Sequence, residues 1–406
     1  MAPDSSRRPD GGPIGLGIAG LGMAGAMMVQ TAARHPGFRL CAAADPLAAP
    51  REAFSRDFNA RVYAGIDALC EDAAIDAVYI ATPHQFHASH ALRAAAAGKH
   101  IILEKPMALT LEDCDLINAA AAKAGVHLII GHTHAYDPAI RVMRSLIASG
   151  ELGRLGMIAS WNYTDYLYRP RRPEELDTAR GGGILFNQVP HQIDIVRLLG
   201  GGLVISVRAA AGALDPARPT EGHAVAFLAF ADGVAASLVY GGYDFFDSDE
   251  WHDWISERGT RKQQAHGRAR RALAARQGEE AALRTAIYAY GAGAGGGRGG
   301  GGGEREPPHQ PHFGLTIATC ARGELRASTD GVFIYGEGGR RELAIPQGPG
   351  SIGRTNVLDD LEAAIRTGKK PVHNGAWGKA TLEVALAIQT SAREGREVVL
   401  RHQVGV

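Results

Sequence analysis

The sequence predicts an α/β protein of two domains, on three observations. Strand-like and helix-like segments alternate through the first 134 residues. Residues 14–25 read IGLGIAGLGMAG, an apolar run ending in Gly20, Gly22 and Gly25 at G-x-G-x-x-G spacing. From about residue 135 the pattern changes, and long strand-like runs follow one another, many with no helix between them. Alternating elements imply right-handed crossovers and a parallel sheet. The later runs imply an open, mostly antiparallel or mixed sheet.

The glycine segment is more informative than its spacing alone, because this chain holds 53 glycines. It follows an apolar strand and precedes AMMVQTAARHPG, which can carry a helix. A second strand-like run, FRLCAAAD, then ends at Asp45. Strand, glycine turn, helix, strand and terminal acid together describe a dinucleotide-binding Rossmann unit. One glycine makes the tight turn, one admits the pyrophosphate to the backbone, and one lets the helix pack on the strand. The helix N-terminus then holds the negative charge. Asp45 is placed to accept from a ribose hydroxyl, which favours NAD; Arg51 keeps NADP open. The plainer reading of Asp45 is a helix cap ahead of Pro46.

Three further strands are expected in DAVYIATP (76–83), KHIILEKP (99–106) and HLIIGHTH (127–134). Helices are expected in PREAFSRDF, QFHASHALRAAAAG and TLEDCDLINAAAAKAG, the last capped by Thr110. Ligands bind beyond the C-terminal ends of such strands. Those ends carry Asp45, Thr82-Pro83-His84, Glu104-Lys105-Pro106, His132 and His134.

Composition narrows the partners. Hydrophobic residues make 45% and charged residues 21%, as in ordinary globular proteins. Lys+Arg and Asp+Glu both number 43, which argues against a nucleic-acid partner. Cys41, Cys70, Cys114 and Cys320 lie far apart, with no C-x-x-C pair, so no disulfide framework is expected and a reducing cytoplasm fits. Arg7-Arg8 ahead of the apolar stretch 14–29 imitates a twin-arginine or secretory signal, but that stretch contains the nucleotide fingerprint. Residues 1–12 are therefore expected as a disordered tail. No membrane span is expected elsewhere.

The expected domains are 13–134, binding the nucleotide, and 135–406, for substrate and oligomerisation. The second carries a flexible insertion at about 257–310. GAGAGGGRGGGGG (291–303) cannot bury apolar surface, and the basic, alanine-rich 257–287 reads as a solvated helix, or else as a partner-binding arm. VLDDLEAAIRTG and ATLEVALAIQTSAREG read as two amphipathic helices.

EKP at 104–106, after ATP at 81–83 and the glycine fingerprint, resembles the glucose–fructose oxidoreductase/inositol dehydrogenase (Gfo/Idh/MocA) family. GGG-x₇-H-x₂-D at 181–194 and the ending HNGAWGKATLEVALAIQTSAREGREV add to the resemblance, which spans nearly the whole chain. It implies an NAD(P)-dependent oxidoreductase: a Rossmann domain plus an α/β domain whose open sheet makes oligomer contacts, hence a homo-oligomer, dimer or tetramer. It implies a catalytic Lys105 with a cis bond before Pro106. Coenzyme contacts are then expected from Gly20, Gly22, Met23, Gly25, Asp45, Thr82, Pro83, His84, His87, Glu104 and Lys105.

Hydride transfer from a carbinol needs a group to take the hydroxyl proton and a cation near the developing alkoxide. The family's dehydrogenases commonly place Asp and His four apart, one helical turn. Here His191 is present, but the Asp position is Asn187, which cannot ionise. Lys105, His191 and Asn187 are the catalytic candidates, with Asp194 one turn further on. A metal set from His84, His87, His132 and His134 is not expected, since no carboxylate–histidine pattern accompanies them.

Within the family, ELGRLGMI, RPRRPEELDTARGGG, DPARPTEG and FDSDEW look like phthalate 4,5-cis-dihydrodiol dehydrogenases. Arg169, Arg171, Arg172 and Arg180 crowd one segment. Arginine supplies the planar, bidentate cation a carboxylated small-molecule substrate needs. Tyr163, Arg169, Arg180 and His191 are the expected substrate contacts. The alternatives are a sugar or polyol dehydrogenase, an NAD-dependent glycoside hydrolase and a non-catalytic nucleotide sensor.

Overall fold

A computed structural model describes residues 11–276, 279–292, 308–346 and 353–406. In chain order the elements begin with β1 (Ile14–Ala19), α1 (Met23–Arg34), β2 (Phe38–Ala44), α2 (Ala48–Phe58), β3 (Arg61–Tyr63), α3 (Ile66–Glu71), β4 (Ala77–Ile80), α4 (His87–Ala96), β5 (His100–Leu103), α5 (Leu111–Ala124) and β6 (Leu128–Ile130). There follow α6 (Pro138–Ser149), β7 (Leu155–Tyr163), α7 (Gly183–Asn187), α8 (Val189–Leu199), β8 (Val204–Gly212), β9 (His223–Phe230), β10 (Ala235–Gly241), α9 (Arg268–Ala274) and α10 (Glu280–Tyr288). The chain ends through β11 (Leu315–Cys320), β12 (Gly323–Ala327), β13 (Gly331–Gly336), β14 (Gly339–Ala344), α11 (Gly353–Thr367), α12 (Gly375–Glu394) and β15 (Val398–Val399).

Two compact units emerge. The first takes the chain up to Gly131 together with 282–292 and Arg354–Gly378. Its sheet is parallel throughout, in the order β3-β2-β1-β4-β5-β6. β1 and β4 are buried along their whole length, as strands covered on both faces must be. Thr110 caps α5 by accepting from the Asp113 N–H, and Gly125 ends that helix in the left-handed region. All four cysteines are buried and none forms a disulfide.

The second unit takes most of the remainder, from His132. Its nine strands run β14-β13-β12-β11-β7-β10-β9-β8-β15, antiparallel except for the β7–β10 pair. The alternation of β7 separates the two faces. Ile158, Ser160 and Asn162 are buried, while Met157 and Trp161 point outward. Every residue of α8 is buried, and its Gln192 donates to Ser160 O, Ser160 Oγ and Val239 O at 3.1–3.2 Å. The opposite face exposes Met157, Trp161, Val225 and Phe227. Register sets Trp161 and Val225 on either side of Val239, so the outward apolar side chains form one stripe.

Two helices occupy the segment expected as the start of the insertion; 277–278 and most of the glycine run lie outside the described residues. α9 docks in the second unit through Arg270, which lies 3.9 Å over the Tyr168 ring and 4.2 Å over Phe245. At the head of α10, Glu280 takes a bidentate pair from Arg218 at 2.6 and 2.8 Å. Past the end of α10, Tyr290 is buried in the first unit. Its N–H donates to Leu21 O at 2.9 Å, its hydroxyl donates to Asp57 at 3.0 Å, and its ring meets Phe54 and Phe58.

Truncating this anchor is expected to be costly. Tyr290→Ala should destabilise the protein by about 3 kcal/mol, as for large buried aromatics, and Tyr290→Phe by about 1 kcal/mol for the lost hydrogen bond. Urea unfolding of the two variants checks both values; equal midpoints with wild type would show that the segment is not anchored.

Candidate active site

In the first unit the three fingerprint glycines have separable roles. Gly20 sits at φ +93°, and a Cβ there would lie 2.6 Å from Ala81 O. A Cβ on Gly25 would lie 1.8 Å from Gly20 O, so α1 can close on β1 only without a side chain at that position. Gly22 has nothing within 4 Å, which leaves its backbone open to an approaching ligand. No side chain caps the α1 N-terminus that follows at Met23. Its first-turn N–H groups suit a pyrophosphate.

Asp45 closes the same loop. Its Oδ2 accepts from the Leu21 N–H at 2.7 Å and its Oδ1 from the Leu47 N–H at 2.9 Å. Each oxygen keeps a lone pair for a ribose hydroxyl. Arg51, the expected seat for a 2′-phosphate, instead donates to the carbonyls of Asp45 and Pro46. These residues fit NAD: Gly20 to Gly25 would hold its pyrophosphate and Asp45 its ribose.

The strand ends after β4 and β5 are tied together by His87. This ring is fully buried, with Nδ1 2.8 Å from Pro106 O and Nε2 2.9 Å from Thr82 O. Burial lowers its pKa, against the pull of those two carbonyls. With both nitrogens engaged by backbone, His87 is a strut between the two loops; the expected coenzyme contact is corrected to this bracing role. Thr82 spends its hydroxyl on His90 at 2.9 Å. His84 remains half-buried at the loop surface, its ring edge-on to His87. Glu104 is likewise committed: Tyr79 donates to its Oε1, Arg354 stands 3.9 Å from that oxygen, and the Lys105 N–H reaches Oε2 at 3.3 Å. The Lys105–Pro106 bond is cis, and Lys105 is half-buried.

In the second unit His191 stands at the start of α8, its ring edge-on to His134 with centroids 4.8 Å apart and 4.9 Å from Phe313. The expected single helical turn from Asn187 to His191 is interrupted: α7 ends at Asn187, Gln188 breaks the helix, and α8 starts at Val189. Asn187 Nδ2 donates to Gly181 O and Gly183 O, at 3.1 and 2.8 Å, holding the glycine turn. Asp194 is buried, and its charge raises the pKa of Arg197, which burial pushes down to about 10.

Of the four arginines, three are matched by carboxylates. Arg169 lies 2.7 Å from Asp165 and 4.0 Å from Glu257. Burial alone would lower its pKa; the two acids outweigh it and hold Arg169 firmly charged. Arg171 stacks 3.8 Å over Tyr166 and pairs with Glu175, and Arg172 pairs with Glu174 and Glu175. Arg180 is exposed and makes no ion pair among the described residues. Tyr163 falls on the outward face of β7, against Phe246 and Trp251, while α8 packs on the inward face. Strand alternation thus removes Tyr163 from the substrate group around His191. Among the described residues no three His, Cys, Asp or Glu converge to hold a metal, and no described helix is long and apolar enough to cross a membrane.

Residues 14–132 match the oxidoreductase family with an NAD-binding Rossmann fold, and 140–253 match the GFO/IDH/MocA C-terminal domain. A Comamonas testosteroni protein, 1-carboxy-3-chloro-3,4-dihydroxycyclohexa-1,5-diene dehydrogenase, is 40% identical over 379 residues, covering 92% of this chain and 93% of that one. The chain belongs to the Gfo/Idh/MocA family. It is an NAD(P)-dependent oxidoreductase. A solved structure from Bordetella bronchiseptica RB50 superposes with TM-score 0.90 at 43% identity, covering 96% of this chain and all of that one. Levoglucosan dehydrogenase, with NADH and levoglucosan bound, shares the fold at TM-score 0.71 and 19% identity, covering 95% and 99%.

Sequence reasoning passed over Asp137, Glu257 and Phe313, and placed His134 at a ligand-binding strand end while giving it no role beyond a metal ligand. His134 Nδ1 lies 2.9 Å from the buried Asp137. Burial pushes the Asp137 carboxyl up, with His134 pulling it down. Glu257 is held low, because Arg169 and His134 outweigh its burial. The signal was present in HTHAYDP, where His134 and Asp137 stand three apart before a proline that opens α6.

The glycines separate folding from coenzyme binding. Gly25→Ala should cost at least about 1–3 kcal/mol by overpacking. Gly22→Ala should leave the thermal midpoint unchanged and weaken NAD binding at least about tenfold, since 1.4 kcal/mol of lost contact suffices. Thermal melts beside NAD titration calorimetry decide; a Gly22→Ala chain binding NAD like wild type would contradict the assignment.

Proposed function

We propose that this oxidoreductase oxidises a carboxylated aromatic cis-dihydrodiol to the catechol, with phthalate 4,5-cis-dihydrodiol as the substrate the sequence favours. The observation that carries the reading is the 40% identity, nearly end to end, with a relative named as a dehydrogenase of a carboxylated dihydroxycyclohexadiene. Arg180 supports it as an exposed cation without a carboxylate partner among the described residues, free to meet a substrate carboxylate.

NAD, when bound, supplies the hydride acceptor. The family resemblance offers Lys105 or His191 as the group that receives the hydroxyl proton, while the Asn187 amide holds the Gly181 and Gly183 carbonyls and adds no charge. Loss of hydride leaves a ring that tautomerises to the catechol, and regained aromaticity draws the reaction forward. Asp45 and the occupied Arg51 favour NAD over NADP. The neutralised Arg169, Arg171 and Arg172 favour a second reading, a neutral sugar or polyol as substrate.

NADH formation by the full chain with phthalate 4,5-cis-dihydrodiol, beside inositol and glucose, tests this. Turnover of the dihydrodiol alone is expected, and Arg180→Ala should raise its KM at least about tenfold, the loss of one charge-assisted pair. Turnover of polyols alone would replace the dihydrodiol reading with the second one.

The four buried cysteines, none in a disulfide, accord with a reducing cytoplasm. We further propose a homo-oligomer in which a second copy of this chain covers the stripe of Trp161, Val225 and Phe227, the face on which the family resemblance places oligomer contacts. Trp161→Glu with Phe227→Glu should convert the wild-type oligomer to monomer in light scattering; a wild-type monomer would refute it.

A further inference from the structure

Asp137 occupies the N-cap position of α6, yet its side chain caps nothing there. Its carboxylate faces His134 instead, at 2.9 Å. An ionised carboxylate only accepts, so the hydrogen sits on His134 Nδ1 and the lone pair on Nε2. That Nε2 carries no hydrogen bond among the described residues, and the side chain keeps 18% of its surface open. The ring is fixed between His191, at 4.8 Å, and Phe313, at 4.7 Å. Glu257, half-buried, adds a second negative charge within electrostatic reach. Both charges favour the imidazolium that proton uptake would create.

We propose that His134, oriented by Asp137, is the proton acceptor for the substrate hydroxyl. The inference rests on the oxidoreductase reading above and moves the acid–base role to a residue outside the GGG-x₇-H-x₂-D motif. When the O–H bond breaks, its electron pair becomes the second C–O bond and its proton bonds to Nε2. The carbinol C–H pair leaves as hydride to the nicotinamide. The arrangement repeats the logic of a base held in one tautomer by a buried acid. It also restores the negative charge that Asn187 cannot provide, from a different element of the same unit.

The charged and titratable groups around His134 are Asp137, Glu257 and His191, with Arg169 beside Glu257 and His312 acting on Asp137. The test therefore uses two readouts on the full chain. In kinetics with NAD and whichever of phthalate 4,5-cis-dihydrodiol, inositol or glucose the wild type turns over, His134→Gln should lower kcat/KM by about 10²–10⁴-fold, as for loss of a general base, and abolish the acid limb of its pH profile. KM should change less than about threefold, since uniform binding is untouched. Asp137→Asn should lower kcat, with matched thermal melts for both variants. Retained kcat/KM with the acid limb intact in His134→Gln would overturn the proposal. In ¹⁵N NMR of histidine-labelled protein, His134 should show the Nδ1–H tautomer, and Asp137→Asn should release that tautomer preference. A His134 locked as Nε2–H, or indifferent to Asp137→Asn, overturns the proposal by itself. Should wild type oxidise none of the panel, the substrate reading fails, and the tautomer and its response to Asp137→Asn still decide this one.

Discussion

Parallel pairing of the first six strands is the constraint on which the nucleotide-binding unit depends. Its register matches Ala19 to Ala44 and Ile80, Ile80 to Leu103, and Leu103 to Ile130, so five strands end in one row. Every chain exit then falls on one edge of the sheet, and the strand order turns away on either side of β1 and β4. The residues that leave that row are Gly20, Asp45, Thr82, Glu104 with Lys105, and Gly131. Antiparallel strands would scatter these exits over two edges. The polar groups just past the row then stabilise one another: Asp45 holds the glycine loop, His87 braces the turn that carries Lys105, and Glu104 is clamped by Tyr79 and Arg354. Asp45 and His87 are spent on shaping backbone, which stiffens the loop edge that would hold a coenzyme.

The second unit is governed by charge matching. Burying an arginine is costly unless an acid accompanies it. Arg169 has Asp165 and Glu257, Arg171 has Glu175, and Arg218 has Glu280. Arg197 donates to Thr381, Gln403 and the Val404 carbonyl, and burial lowers its pKa against the pull of Asp194 and Glu383. An arginine cluster in a sequence is therefore two populations. One is internal and already neutralised, and the other is exposed and available, as Arg180 is.

The part of the site that sequence revealed is the part built from local geometry. G-x-G-x-x-G is legible because Gly20 and Gly25 are dictated by contacts within a few residues of one turn. Thr110 as a cap is legible for the same reason. Tyr163 was misplaced because a strand flips its side chain at each residue, and the parity of β7 is set by α8 and by pairing with β10. The Asn187–His191 turn was misread because Asn187 is used by the Gly181–Gly183 backbone, a demand invisible in the spacing. Tyr290 lay hidden inside a glycine-rich segment, since its pocket is supplied by α2, more than two hundred residues earlier.

The placement of Asp137 shows how such a chain distributes its acids. A helix that starts Asp-Pro is ordinarily capped by that aspartate, and forgoing the cap costs about 1 kcal/mol. Here the carboxylate turns from the α6 N-terminus to His134, in a buried setting that itself disfavours ionisation. Both penalties fall on one side chain, and the hydrogen bond from His134 must offset them. A purely structural helix start would be served better by the cap. The arrangement gains when a positive charge develops on the histidine, because the attraction between imidazolium and carboxylate is stronger than that between neutral ring and carboxylate. That asymmetry between the two protonation states is what a proton-transfer group requires, and it is absent at Asn187, where the amide serves the backbone in either state.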